Sequence, residues 1–256
     1  MRPHTAGMIG TICLALALTI NPQSINPGMA AAPAADDAAI AQSLAQMLRA
    51  GRSVVSANQA LINNPDIGDK GLTGAVVLAK TLAAYKTATG TDATSIDPAS
   101  REGRLLHDEM DAIVEVTDAN QATINAKGVG FKGFIPAVFA RLVGEAFARR
   151  ADGEATIKVT APANLVRNRK SLPDAMESEV IQDKFLSASW PSGQPFGAEV
   201  TQAGKPTYRM MFPEYYSASC LSCHGDPKGS LDITGYPREG AKEHDLGGVI
   251  SITLAQ

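Results

Sequence analysis

The apolar residues of this chain change their spacing once, and that change limits the folds open to it. From Asp36 to about Asn63, Leu44, Met47, Leu48, Val54, Val55 and Leu61 recur at mixed steps of three and four, the period of a helix with one buried face. A second helix is predicted over about residues 73–87. A third is predicted over 100–124, with Leu105, Leu106, Met110, Ile113, Val114 and Val116 as its apolar set, and a short fourth over 137–149. NNPDIGDKGLTG, TGTDATSIDPAS and GVGFKGFIP separate them, rich in the residues that break regular structure. In EATIKVTA the period drops to two, Ile157 and Val159 alternating with polar neighbours. Ser171-Leu172-Pro173-Asp174 reads as a helix start with Ser171 as cap, the helix running to about Ser187. FGAEVTQ, Gly204 and TYRMMFP read as a hairpin, and GGVISITL as a final strand. Helices followed by a small antiparallel sheet with helical insertions is an α+β pattern.

The N-terminus sets the expected compartment. Arg2 precedes an apolar run from Met8 to Ile20, shorter than the roughly 20 residues that span a bilayer. Ala32-Pro33-Ala34 follows as a cleavage site, so residues 1–34 read as a secretory signal peptide and the mature protein as periplasmic. Cleavage removes Cys13, His4 and Arg2. Two cysteines remain, Cys220 and Cys223, with His107, His224 and His244, and the net charge goes from −3 to −4. A mildly acidic chain without basic runs carries no electrostatic footprint for nucleic acid.

The two cysteines stand in Cys220-Leu221-Ser222-Cys223-His224-Gly225. A disulfide across so short a loop adds little stability. A structural zinc site needs four ligands, and no second cysteine pair exists. A catalytic dithiol is expected after a buried strand in a βαβ unit, which TYRMMFPEYYSAS does not resemble. The remaining reading is Cys-x-x-Cys-His, the attachment signature of a c-type haem. Each thiol adds across one vinyl group, and the histidine after the second cysteine becomes the proximal iron ligand. Attachment takes place outside the cytoplasm, so leader and motif agree.

Several distant segments together resemble one family, the periplasmic c-type haem proteins with a PAS-like sensor fold. They are Phe131-Lys132-Gly133-Phe134-Ile135-Pro136, Arg167-Asn168, Pro173-Asp174, Glu177, the haem motif, Asp232-Ile233-Thr234-Gly235-Tyr236, and Asp245-Leu246-Gly247-Gly248. The chain departs from the family pattern at Met176, Arg169 and His244, where Trp, Pro and Gly are usual. The periodicity marks residues 35–130 as an N-terminal helical region, and the resemblance implies a PAS-like haem domain over 131–256. Some members use a cysteine thiolate as second axial ligand; the mature chain has no cysteine to spare for that.

The sixth iron position stays open between His107, a methionine (Met47, Met110, Met210 or Met211), and no protein ligand at all, which would admit a small diatomic molecule. Arg167 is a candidate contact for a haem propionate, since a guanidinium fork matches a carboxylate; a solvated loop cation is the plainer reading. Three functions follow from one covalent haem: a redox or small-ligand sensor acting through a separate signalling protein, a soluble electron carrier with a redox partner protein, or a peroxidase. The peroxidase ranks last because it needs a distal acid–base residue.

Overall fold

The computed structural model describes residues 31–256 together with Met1. Most of the expected leader, residues 2–30 with Cys13, lies outside the described residues.

The helical half forms much as its periodicity predicts, with two breaks. The first helix is α1 (Ala31–Ala57), with a separate turn α2 (Gln59–Ile62). Asn58 divides them, its side-chain amide donating to the Val54 carbonyl. Then come α3 (Gly74–Thr89), α4 (Arg101–Ala119), the turn α5 (Gln121–Ile124) and α6 (Pro136–Arg150). Thr73 and Ser100 cap α3 and α4, each accepting a backbone N–H three residues on. Asn120 interrupts the predicted third helix in the way Asn58 interrupts the first.

The second half supplies β1 (Ala155–Thr160), α7 (Ala175–Val180), β2 (Phe196–Gln202), β3 (Lys205–Tyr215), the turn α8 (Leu221–His224) and β4 (Leu246–Ala255). The four strands form one antiparallel sheet in the order β1-β4-β3-β2. The β2–β3 hairpin turns on Ala203 and Gly204, both at positive φ, which matches the twist of the flanking strands.

One expected start is corrected. The cap of α7 is Asp174, not Ser171. Asp174 accepts from the Glu177 backbone N–H while Glu177 accepts from the Asp174 N–H, a reciprocal capping box. Ser171 instead closes a 3-10 turn. Nor does the α-helix run to Ser187. After Val180 it widens, and the Leu186 N–H reaches back five residues to the Ile181 carbonyl.

The main core lies between the helices and one face of the sheet. Leu44, Met47, Leu48, Leu105, Ile113, Phe139 and Phe147 join Ile157, Phe212, Ile250, Ile252 and Leu254 in a single cluster. This cluster draws residues from both sides of position 130, because α1 lies directly on β3 and β4. Gly144 lets α6 approach β1: a Cβ there would collide with the Ile157 carbonyl oxygen. The opposite face carries a smaller cluster of Val180, Ile181, Phe185, Met211, Leu246 and Val249.

Candidate functional site

Residues 216–245, the connection from β3 to β4, carry the motif and its surroundings. The two strands continue past their ends. The Tyr216 N–H donates to the Asp245 carbonyl and the His244 N–H to the Tyr216 carbonyl. This pins both ends of the excursion at one end of the sheet. From there Ala218–Cys220 makes a 3-10 turn that runs into α8. Residues three and four apart share a side of such a turn, so Cys220, Cys223 and His224 are gathered by local backbone geometry. Among the described residues both cysteines are unpaired, and each is half-buried. Their nearest polar neighbours are hydroxyls, Ser217 for Cys220 at 3.4 Å and Ser222 for Cys223 at 3.8 Å.

His224 is held on several sides. Its ring stacks on that of Tyr216, with centroids 4.8 Å apart and planes inclined by 27°. Gly247 makes room for this pair, since a Cβ there would sit 2.6 Å from the Tyr216 ring. The Nδ1 atom lies 2.9 Å from Glu239 Oε2, 3.3 Å from the Tyr216 hydroxyl and 3.4 Å from an Arg167 nitrogen. Burial and then the negative charge of Glu239 push the Tyr216 phenol up to about 12.

Arg167 ties the return loop to the motif. It donates to Asp232 at 2.6 Å, to Glu239 at 2.9 and 3.0 Å, and to the Cys223 carbonyl at 3.1 Å. Its guanidinium also lies over the Tyr236 ring, 5.4 Å from the centroid. All three of its nitrogens are engaged. It is a bridge between two acidic residues and the Cys-x-x-Cys-His turn. Asp232 is the centre of the loop's own turn, accepting from the Thr234 N–H and hydroxyl and from the Tyr236 N–H. Burial pushes its carboxyl up, but the Thr234 and Arg167 donors outweigh burial and hold it well below the ordinary carboxylate range.

The structure does not bring His107 to this corner. His107 lies exposed on α4, its Nδ1 donating to the Gly103 carbonyl one turn back. Arg104, a turn away on the same helix, pairs with Glu154 beside the start of β1. There β1 pairs with the far end of β4, Ala155 opposite Leu254. The thiols sit beyond the near end of β4, roughly 30 Å away at about 3.3 Å per strand residue. The topology therefore places His107 and the thiols toward opposite ends of the sheet. Met47 and Met110 are enclosed in the main core, and Met211 in the smaller cluster. His244 is exposed at positive φ. Trp190 packs against Phe185 and Phe196 beside the smaller cluster.

Sequence reasoning passed over Tyr216 and Glu239. Glu239 lies in a Gly- and charge-rich loop, which reads as solvated. Nothing short of the folded loop signals that it comes back to a histidine fifteen residues earlier.

A family model, described as Tll0287-like, matches residues 35–255. The chain belongs to the Tll0287-like family. No curated protein and no solved structure matches it.

Among the described residues, no group of three or more His, Cys, Asp or Glu side chains is arranged to hold a bare metal ion. A zinc clasp would need four such ligands. What the corner offers instead is two free sulfurs on one helical turn and an imidazole whose Nδ1 side is occupied, leaving Nε2 as its donor atom.

Proposed function

We propose that this Tll0287-like protein is an exported c-type haem protein of PAS-like architecture that acts as a redox or small-ligand sensor. Cys220 and Cys223 would carry one haem as thioethers, and His224 would be the proximal iron ligand. The observation that carries the reading is the shared turn: two unpaired thiols three residues apart, and a histidine whose Nδ1 is taken by Glu239. Metal-bound histidines characteristically engage their other ring nitrogen in this way. The residues therefore fit the group. When bound, haem supplies an iron that cycles between two oxidation states or accepts a small ligand. The chain's own part is to hold the porphyrin edge through two bonds, fix the imidazole against Tyr216, and tie the return loop to the site through Arg167. A change at the iron would reach that loop, and through it a separate signalling protein.

A second reading is a soluble electron carrier. The half-buried thiols and His224 favour it, because a haem attached there would keep an edge open to a redox partner protein.

The test is protein matured in the periplasm, extracted with acidified organic solvent and examined spectroscopically. Haem that stays with the chain, and is lost on Cys220→Ala with Cys223→Ala, supports covalent attachment. Intact haem in the extract overturns it. A reduced spectrum that shifts under carbon monoxide selects the small-ligand sensor. Indifference to carbon monoxide leaves redox sensing and electron transfer, which a redox-dependent change in the protein's structure separates.

A further inference from the structure

We infer that Glu239 is a positioning residue for His224: held by Arg167, it accepts a hydrogen bond from the Nδ1 N–H, fixes the tautomer, and presents the Nε2 lone pair. The inference rests on the haem reading only for the purpose that this lone pair serves.

Three groups approach Nδ1, and their chemistry fixes which one governs. Glu239 Oε2 is nearest, at 2.9 Å. Glu239 also receives hydrogen bonds from two Arg167 nitrogens, so its carboxyl oxygens serve as acceptors. An acceptor at 2.9 Å requires a donor, so the proton sits on Nδ1. The Arg167 nitrogen at 3.4 Å can only donate, and it is already satisfied by Glu239 and the Cys223 carbonyl. The Tyr216 hydroxyl at 3.3 Å is a longer contact, and its ring stacks on the imidazole. With Nδ1 protonated, the neutral ring has its lone pair on Nε2.

Glu239 is itself positioned. Arg167 grips it through two nitrogens, while the same guanidinium binds Asp232 and the carbonyl of Cys223, the residue that precedes His224. The line Asp232–Arg167–Glu239–His224 thus runs from the turn of the return loop to the ring. Its anionic end does more than orient. A carboxylate acceptor on the far nitrogen raises the basicity of a ligating imidazole, which favours ferric over ferrous iron. Glu239→Gln keeps an acceptor oxygen but removes the charge.

Two measurements decide the matter. The first is nitrogen-15 NMR of His224 in the full chain produced without haem, on the neutral ring, with His224→Gln used to assign the resonance. The expected tautomer carries its proton on Nδ1, and Glu239→Gln weakens that preference. The second is a redox titration of the haem-loaded protein, in which Glu239→Gln raises the midpoint potential while circular dichroism stays that of the parent. A proton on Nε2 in the parent, or a tautomer and potential both unmoved by Glu239→Gln, overturns the inference. If no haem attaches, the functional reading fails, and the NMR measurement still decides the role of Glu239.

Discussion

The two faces of the sheet are built from alternate residues of the same strands, and they solve burial in different ways. On one face Ile157, Phe212, Ile250, Ile252 and Leu254 meet α1 and α6 in an apolar layer. On the other, Lys158, Arg209 and Ser251 stand among Met211 and Val249. The buried carboxylate of Glu177 gathers that second face, accepting from Lys158 at 2.6 Å and from Arg209 at 3.1 Å. Asp174 adds a contact to Arg209 at 2.9 Å. The apolar face gains stability from area removed from water, which tolerates some change of shape. The polar face depends on partners in fixed positions, and losing one leaves a charge buried without compensation. Thus the helical layer serves as foundation, and α7, with the segment after it, is held over the other face by the smaller apolar cluster together with directional contacts.

The largest expected effect is on the apolar face. Phe212→Ala empties a fully enclosed ring site and should cost about 3–5 kcal/mol in urea unfolding. Arg209→Met on the polar face should cost about 3 kcal/mol, since Glu177 keeps only Lys158 as a cationic partner. Combining it with Glu177→Gln should cost clearly less than the two single changes added together. Additive losses would mean that the two side chains do not work as one unit.

A smaller effect separates two buried acids by pH. Glu109 on α4 is wholly buried, and among the described residues neither carboxyl oxygen has a hydrogen-bond partner. Burial alone pushes it well above the usual carboxylate range. A raised group favours the fold below its unfolded value, and that contribution is lost as pH rises through the folded value. Glu109→Gln should therefore flatten the decline of stability on the alkaline side. Asp232 is lowered, so its contribution is present above the ordinary value and lost as pH falls through the folded one. Thr234→Val removes one of its donors and should cost about 1 kcal/mol near neutrality. It should also make the acid-side loss of stability smaller and bring it to completion at higher pH in thermal melts. Opposite slopes from the two acids are the outcome to look for; equal slopes would break the contrast between an unpartnered and a satisfied carboxyl.

Glu109 also shows where sequence reading stops. In LLHDEMDA it stands beside His107 and Asp108, and the stretch reads as a charged helical surface. His107 is indeed exposed, but Glu109 points inward, because α4 packs against α1, α3 and α6 and leaves only a narrow stripe to water. Periodicity places one apolar stripe; it does not say how many neighbours a helix has.

The sequence by itself determined what depends on near neighbours along the chain. The spacing of apolar residues set most helices and strands to within a few positions, Gly204 set the hairpin, and Cys-x-x-Cys-His set the motif on one turn. Only the tertiary structure decided what depends on segments far apart in the chain. It placed α1 and α6 on one face of the sheet, carried His107 to the end away from the thiols, and returned Arg167, Asp232 and Glu239 to His224. Such contacts are made by loops whose closure has no period to read. They become visible only when the strands fix where each loop begins and ends.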